Sequence, residues 1–377
     1  MNVAILETGK ESQTTAEILE NDYTPWLEKI FDKEPLKVVA YVSEKIDSPV
    51  IDGKDIMTLK QFATLYHKRE IEKVIFPHEV YRNKPNILYR IYELGVEVDD
   101  ILIAKHLDFE NPFAEFIKPY LSVKHLSYLE FHIADHCNLN CKACSHFSGL
   151  VKEPHFPKLR SFTRDMERLH EFINDIDTIR ILGGEPLLNR EINEYIRLSR
   201  YLYPKATIYV VTNAILLTKM PESFFETLRE CNTKIYISFY PPLEEKMPAI
   251  KKFLESKGIS FNVSPLIKKF ALRITFNPYD RPKENFLHCP NIRCHNLYEG
   301  KLAVCSRLFP IKTFNDYYGK NLPEDGALDL YEPNLTTEKL KAHLLKPLEL
   351  CRYCTPPDWI EWQTIKKPSP ITDWIHD

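Results

Sequence analysis

Short apolar runs alternate with amphipathic stretches along the first 125 residues of the chain. Three runs have the length and composition of buried strands: Leu36–Val42, Ile71–Phe76 and Val96–Ile103. Between them, Thr58–Arg69 and Asn86–Leu94 have helical spacing, and Gly95 is the kind of residue that commonly ends a helix. Because strands alternate with helices, we expect residues 1–125 to form a small domain with a parallel sheet.

The same alternation continues through residues 126–280. Its six strand candidates are Tyr128–Ala134, Thr178–Leu182, Thr207–Val211, Ile235–Phe239, Ile259–Val263 and Leu272–Phe276. Helical patterns such as Thr163–Asp175 and Ile192–Leu202 fill most of the gaps. Six such repeats predict an α/β fold with a partial (βα)6, TIM-like barrel. In such a barrel the functional groups gather at the carboxyl ends of the strands.

The remaining residues, 281–377, are rich in proline, cysteine and aromatic side chains and have only short, irregular elements. Such a segment has too little apolar periodicity for a large core of its own. We expect it to form a small cysteine-rich domain that is held together by a metal centre.

Composition narrows the class of protein. The chain has 377 residues, 44% hydrophobic and 27% charged, which is typical of globular domains. Its formal net charge of −3 gives no support for a large nucleic-acid surface. No apolar run approaches the roughly 18 residues of a membrane span, and the N-terminus lacks the basic start of a secretory signal. We therefore expect a cytoplasmic protein that binds neither nucleic acid nor membrane.

The placement of the nine cysteines indicates the chemistry of the protein. Disulfides are not expected in a reducing compartment. Cys137, Cys141 and Cys144 form a compact triplet directly after the first strand of the barrel. Three thiolates can hold three corners of a 4Fe–4S cluster and leave one iron open. The alternative is a zinc site completed by His136 or His146. Cys231 stands alone and is expected to be a packed thiol.

Polar groups follow the next three strands. Gly183-Gly184-Glu185-Pro186 comes directly after the second strand and uses an adjacent pair of the chain's ten glycines. Glycines allow the backbone to approach a ligand closely, and a carboxylate beside them can bind an ammonium group. Thr212 and Asn213 end the third strand and Ser238 lies on the fourth, where they can contact a ribose or a carboxylate.

These motifs resemble those of the radical S-adenosylmethionine (SAM) enzymes, over residues 126–280. The spacing of Cys137, Cys141 and Cys144 is similar to the family's cluster motif, and Gly183-Gly184-Glu185-Pro186 is similar to the motif that binds the methionine amine. The resemblance implies that Thr212, Asn213 and Ser238 contact the ribose and carboxylate of SAM. It also implies reductive cleavage of SAM to a 5′-deoxyadenosyl radical that abstracts hydrogen. An electron donor such as flavodoxin or ferredoxin would supply the electron.

The chain departs from the family pattern in two places. The residue before the third cysteine is often aromatic in the family, where it packs near the adenine, but here it is Ala143. Phe147 or His146 is expected to take over that contact. After Ser238 the chain continues Phe-Tyr-Pro-Pro in place of the frequent Leu-Asp-Gly, which changes the expected ribose contacts.

The tail cysteines suggest a second centre. Five cysteines are candidates for at most four ligand places: Cys289, Cys294, Cys305, Cys351 and Cys354. Their pattern resembles the short "twitch" version of the SPASM extension, which holds one auxiliary 4Fe–4S cluster. Cys305, Cys351 and Cys354 match best, and either Cys289 or Cys294 is the fourth. A zinc ribbon is the alternative on spacing alone. We expect the triplet to bind SAM without help from this tail.

The polar faces of the predicted strands point to the substrate class. The candidates for the barrel lumen are Glu130, His132, Arg180, Tyr236, Tyr240, Asn262, Ser264 and Arg273. A polar lumen favours a small polar substrate, and the first domain resembles Rossmann-like modules that are fused to sugar-processing enzymes. We expect oxidation, epimerisation or rearrangement of a carbohydrate or nucleotide-linked sugar. The alternatives are a peptide maturase and a non-enzymatic zinc or iron–sulfur protein.

Overall fold

The computed structural model describes most of the chain, in the ranges 1–20, 36–44, 46, 48–84, 86–104 and 117–376. These residues form two compact units, Met1–Val123 and Lys124–Asp377. Each unit is built on its own sheet, and the mixed α/β class predicted from the sequence is confirmed. None of the helices in the described ranges is long and apolar enough to cross a membrane.

The described residues of the first unit form seven strands: β1 (Asn2–Leu6), β2 (Lys37–Val42), β3 (Val50–Ile51), β4 (Lys54–Met57), β5 (Lys73–Pro77), β6 (Ile101–Ala104) and β7 (Ile117–Pro119). Its described helices are α1 (Lys10–Ile18), α2 (Leu59–His67), α3 (His78–Asn83) and α4 (Asn86–Glu93). The sheet order is β3-β4-β2-β1-β5-β6-β7. The five inner strands are parallel, and β3 and β7 are antiparallel edges.

The centre of this sheet was not predicted. β1 lies between β2 and β5, and its Val3 and Ile5 are buried in the core. Five residues at a chain end give too short a pattern to stand out in the sequence. The predicted strand Val96–Ile103 is also shortened, because residues 98–100 form a 3₁₀ turn before β6.

The second unit contains ten strands: β8 (His125–His132), β9 (Asp175–Leu182), β10 (Thr207–Thr212), β11 (Thr233–Ile237), β12 (Phe261–Val263), β13 (Lys269–Ile274), β14 (Asn296–Tyr298), β15 (Lys301–Ala303), β16 (Leu328–Asp329) and β17 (Cys354–Glu361). Its helices are α5 (Leu159–Phe172), α6 (Ile192–Leu202), α7 (Glu222–Glu230), α8 (Met247–Ser256), α9 (Pro282–Leu287), α10 (Ile311–Tyr318) and α11 (Thr337–His343). Eight strands form one sheet in the order β12-β11-β10-β9-β8-β14-β15-β16.

The sixth parallel strand differs from the sequence prediction. Leu272–Phe276 was expected to continue the repeat, but β13 pairs antiparallel with β17 in a separate two-stranded sheet. The sixth parallel place belongs to β14, which lies beside β8 with Asn296 opposite Glu130. Periodicity identifies a strand but not its partner, so the sequence could not show this exchange. The predicted boundary near residue 280 therefore divides the sequence but not the sheet.

Helix packing fixes the strand ends that carry the functional residues. The buried face of α5 contains Phe162, Met166 and Leu169. The Phe162 ring lies 4.5 Å from that of Phe131 on β8. Because β8 to β12 are parallel, their carboxyl ends meet at one edge of the sheet.

Candidate active site

Cys137, Cys141 and Cys144 face one cavity at the carboxyl ends of β8 to β11, which we call the triplet cavity. Its other lining residues are Leu139, His146, Ser148, Gly149, Leu182, Gly183, Gly184, Val211, Thr212, Asn213, Ser238, Tyr240 and Phe270. The structure thus brings the three cysteines together with five of the seven residues expected to contact SAM. The other two, Glu185 and Pro186, do not line this cavity.

The loop that carries the cysteines has an unusual backbone. Asn140, Ala143 and Phe147 all have positive φ, near 50°. Such a conformation is costly for a bulky residue and persists only where its surroundings enforce it. Phe147 is buried with its ring 5.3 Å from that of Phe314 and 5.7 Å from that of Trp374. Phe147 therefore anchors the loop and does not line the triplet cavity, whereas His146, the other candidate for the adenine contact, does.

The glycine pair packs against the cysteine loop itself. A Cβ atom on Gly183 would lie within 3.0 Å of the Ala134 carbonyl oxygen, and one on Gly184 would lie as close to that of His136. The Gly184 N–H donates to the Ala134 oxygen at 2.7 Å, and the Glu185 N–H donates to the His136 oxygen at 3.0 Å. Close approach of these glycines to a ligand stays a prediction, and the structure adds a close contact between two backbone segments.

Glu185 connects the ends of β9 and β10. Its side chain is fully buried, and it accepts hydrogen bonds from the Thr212 hydroxyl at 2.6 Å, the Asn213 N–H at 2.9 Å and the Leu187 N–H at 3.1 Å. Burial raises the pKa of the Glu185 carboxyl to about 7. The carboxylate thus orders the two strand ends, and its acceptor atoms are engaged by protein donors.

Two of the triplet thiols accept hydrogen bonds from N–H groups. Cys137 Sγ accepts from the Leu139 N–H at 3.4 Å and from the Asn213 amide at 3.7 Å. Cys141 Sγ accepts from the indole N–H of Trp362 at 3.2 Å. Burial raises the pKa of all three thiols, that of Cys137 to about 12. Buried thiols with N–H donors aimed at sulfur fit the ligands of an iron–sulfur cluster, where such bonds set the potential.

Four of the five tail cysteines line a second cavity, which we call the auxiliary cavity. Cys289, Cys305, Cys351 and Cys354 share it with Arg307 and a largely apolar wall. The side-chain amide of Asn285 donates to the carbonyl oxygens of Cys351 at 2.9 Å and Cys354 at 2.8 Å and so holds that turn. Cys294 is outside this lining. Four thiols around one cavity fit a fully ligated 4Fe–4S cluster. Within the described ranges, no three His, Cys, Asp or Glu side chains form a group that could hold a single metal ion.

The predicted lumen residues divide into two sets. Glu130 is buried and accepts from the Tyr128 hydroxyl and from the Asn296 amide at 3.3 Å. The Arg180 guanidinium lies 4.7 Å from the centre of the Tyr236 ring, and the His132 ring lies 4.5 Å from the His146 ring. Tyr240 joins the triplet cavity.

The remaining three lumen candidates lie elsewhere. Asn262 is exposed. The Ser264 hydroxyl accepts from the Phe239 N–H at 3.0 Å and donates to the Pro265 carbonyl at 2.8 Å, so it is a structural contact. Arg273 lies on β13, which is outside the eight-stranded sheet. Burial raises the pKa of Cys289 in the auxiliary cavity, and the positive charge of Arg273 acts to lower it.

A polar cleft is connected to the triplet cavity through a third cavity that lies between them. The cleft has a volume of about 610 Å³ and lies between α5 and the β14–β15 turn. It shares His132, His155, Tyr298 and Glu299 with a neighbouring cavity, and that one shares His146 with the triplet cavity. Asp135 accepts from the Tyr298 hydroxyl at 2.8 Å and pairs with His155 at 2.5 Å. His132 was predicted for the lumen, but the other residues come from distant parts of the chain and no local motif marks them, so the cleft itself was not predicted.

Parts of this chain are similar to known proteins. Residues 131–264 match the Radical SAM superfamily. The GTP 3',8-cyclase of Alkaliphilus oremlandii (strain OhILAs) is 30% identical over 118 residues, which cover 30% of this chain and 35% of that protein. Molybdenum cofactor biosynthesis protein 1 of Homo sapiens is 32% identical over 114 residues, which cover 29% of this chain and 17% of that protein. The chain thus aligns with well under half the length of these relatives.

Among solved structures, BtrN in complex with AdoMet and 2-DOIA matches 61% of this chain and 93% of its own, at 16% identity and a TM-score of 0.39. Native anSMEcpe with bound AdoMet matches 61% of this chain and 82% of its own, at 15% identity and a TM-score of 0.39. The matched residues 131–264 contain the triplet, the glycine pair and the strand ends of the triplet cavity. The match to the family model therefore identifies residues 131–264 as a Radical SAM domain, the kind of domain that binds a 4Fe–4S cluster and S-adenosylmethionine.

Proposed function

We propose that this protein is a radical SAM enzyme with an auxiliary 4Fe–4S cluster, acting on a polar substrate of the nucleotide or nucleotide-linked sugar class. The observation that carries the proposal is the triplet cavity, where three thiols meet the carboxyl ends of three neighbouring strands. When bound, the cluster and SAM together supply the 5′-deoxyadenosyl radical. Every other task falls to the residues of this chain.

The triplet cavity divides its tasks between thiols and strand ends. Cys137, Cys141 and Cys144 hold three irons and leave the fourth for SAM. The Thr212 hydroxyl already donates to the Glu185 carboxylate and accepts from the Ala214 N–H. The side-chain amide of Asn213 likewise donates to the Asn138 side-chain oxygen and accepts from the Ile215 N–H. SAM contacts therefore fall to backbone groups of the glycine pair and to Ser238, and Glu185 acts by positioning.

Cys289, Cys305, Cys351 and Cys354 are proposed as the four ligands of the auxiliary cluster. Four thiolates would occupy all four irons of such a cluster and leave none open to the substrate. Held by these residues, the group would supply an electron-accepting centre or stabilise the fold. An external donor of the flavodoxin or ferredoxin type is expected to reduce the triplet cluster.

The auxiliary assignment is tested by metal analysis of anaerobically purified variants. Cys289→Ser and Cys294→Ser are a matched pair, because both cysteines lie in the same short segment and only Cys289 lines the auxiliary cavity. The wild type and Cys294→Ser should contain about eight irons and eight sulfides per chain, and Cys289→Ser should lose up to half of them. A stoichiometric zinc ion in the wild type, with about four irons, would show a zinc ribbon in the tail.

The substrate class rests on the polar cleft and on the curated relatives. Three cations, Lys158, Arg164 and Lys301, line the cleft together with three carboxyl groups, those of Asp165, Glu299 and Asp329. Such a mixture offers both donors and acceptors to hydroxyls, bases and phosphates. Several similar proteins are named GTP 3',8-cyclases, and GTP is a nucleotide.

Binding of three probes, GTP, UDP-glucose and an unstructured peptide, separates the substrate classes. We expect a nucleotide probe to bind in the presence of SAM and to stimulate 5′-deoxyadenosine formation. Arg164→Ala should weaken that binding about tenfold, as for the loss of one charge-assisted contact. Arg281→Ala, at a highly exposed side chain outside the cleft, is the control. Stimulation by the peptide alone would favour a peptide maturase instead.

A further inference from the structure

The C-terminal segment that follows β17 lies against the cysteine triplet. Cys141 forms an antiparallel bridge with Thr364. The Lys142 N–H donates to the Gln363 carbonyl at 2.8 Å, and the Ile365 N–H donates to the Asn140 carbonyl at 2.9 Å. This pairing joins two segments that are more than 200 residues apart in sequence.

Further contacts hold the same segment at its far end. The Ala143 N–H donates to the Asp373 carbonyl at 3.1 Å, and the Lys142 ammonium pairs with the Asp373 carboxylate at 2.7 Å. Trp374 is buried and its ring packs against Phe147 of the cysteine loop. Residues 362–374 are therefore held to the triplet loop at both ends.

Trp362 is the residue of this segment that reaches a thiol. Its indole N–H donates to Cys141 Sγ at 3.2 Å. Its ring stacks on Tyr240, with centroids 6.0 Å apart and planes inclined by 22°, and Tyr240 itself lines the triplet cavity. The backbone N–H of Trp362 donates to the Lys268 carbonyl at 2.8 Å. The indole is thus fixed on two sides, with its N–H on the sulfur.

We infer that Trp362 is a positioning residue for the radical SAM cluster, whose indole hydrogen bond to the Cys141 sulfur raises the reduction potential of that cluster. This inference rests on the proposed role of the triplet as cluster ligands. Reduction adds negative charge that spreads to the thiolates. An N–H donor stabilises that charge, so the reduced form is favoured where the bond is present.

The consequence for the chain is a link between its two cysteine sites. β17 begins at Cys354 of the auxiliary cavity and ends one residue before Trp362. The strand that begins at the auxiliary cavity therefore leads directly to Trp362, whose indole N–H donates to the triplet. The expectation that the triplet binds SAM without help from the tail stays a prediction, and these contacts argue against it.

Trp362→Phe tests the inference, because phenylalanine retains a ring for Tyr240 but lacks the N–H. Trp359→Phe is the matched control, since Trp359 lies on β17 and is 58% exposed. The midpoint potential of the triplet cluster is measured by redox titration with electron paramagnetic resonance, and its signal is assigned by the change that SAM causes. We expect Trp362→Phe to shift the reduction equilibrium about tenfold, or about 59 mV for one electron, towards more negative potential. Trp359→Phe should leave it unchanged.

An unchanged potential in Trp362→Phe, with the SAM-sensitive signal intact, would overturn the inference. If the wild type itself shows no SAM-sensitive cluster, the proposed function fails instead, so the two failures are distinguishable. Should Trp362→Phe assemble no cluster, site-specific replacement of Trp362 by benzothienylalanine keeps the shape of the indole and removes only the donor. The same negative shift is expected, and a wild-type potential would again overturn the inference.

Discussion

Replacing Gly184 by alanine should destabilise the protein even when no ligand is bound. The new Cβ atom would lie within 3.0 Å of the His136 carbonyl oxygen, which is backbone and cannot rotate away. The end of β9 must then move from the cysteine loop. That movement breaks the Gly184 N–H bond to the Ala134 carbonyl and the Glu185 N–H bond to the His136 carbonyl.

The magnitude follows from those two losses. A buried N–H group without an acceptor costs about 1–3 kcal/mol. We expect the backbone to shift so that one of the two N–H groups regains part of its hydrogen bonding. The expected loss in the free energy of unfolding is then about 2–5 kcal/mol. Gly9→Ala is the control, because Gly9 has nothing within 4 Å of an added Cβ. Its effect should stay below about 1 kcal/mol.

Urea unfolding of the metal-free proteins measures the difference, followed by tryptophan fluorescence and by far-ultraviolet circular dichroism, which also reports on the unit that contains Gly9. Trp359, Trp362 and Trp374 report on the unit that contains Gly184. The midpoint should fall clearly in Gly184→Ala and hardly at all in Gly9→Ala. If the metal-free Gly184→Ala variant is as stable as the wild type, the glycine serves only ligand approach and the packing argument is wrong.

Three further predictions follow from the site. Because burial raises the pKa of Glu185 to about 7, the folded state binds that proton more tightly than the unfolded chain does. The stability of the wild type relative to Glu185→Gln should therefore decrease as pH rises from about 4.5 to about 7, and a pH-independent difference in urea midpoint would contradict this. Cys351→Ala/Cys354→Ala should lose the auxiliary cluster and also lower the rate of SAM cleavage, because β17 delivers Trp362; a wild-type cleavage rate would refute the link. Tyr298→Phe should weaken GTP binding severalfold if the Asp135 network lines the substrate path, and unchanged binding would argue against it.

Local motifs in the sequence predict much of the candidate site. The triplet, the glycine pair and Ser238 were each identified from a few consecutive residues, and the structure gathers them around one cavity. Parallel strands explain this success, because their carboxyl ends must meet at one edge of the sheet. The packing of the glycines against the cysteine loop was not predicted, since a sequence does not show which backbone lies opposite a glycine.

Long-range pairing was the part that the sequence could not supply. Trp362 contacts Cys141 across more than 200 residues, and β14 takes the place expected for Leu272–Phe276. Neither contact leaves a periodic signal, because strand partners and single side-chain hydrogen bonds are chosen by the packed fold. Cys289 and Cys294 were likewise equivalent in sequence, and only the lining of the auxiliary cavity separates them.

The most direct test of the account is the formation of 5′-deoxyadenosine from SAM. The reconstituted wild type and the variant with Cys137, Cys141 and Cys144 replaced by alanine are reduced with dithionite, and the product is measured by liquid chromatography. We expect product with the wild type and none above background with the variant, which should keep the iron of the auxiliary cluster. Equal product from both proteins would contradict the central claim that these three thiols hold the cluster that cleaves SAM.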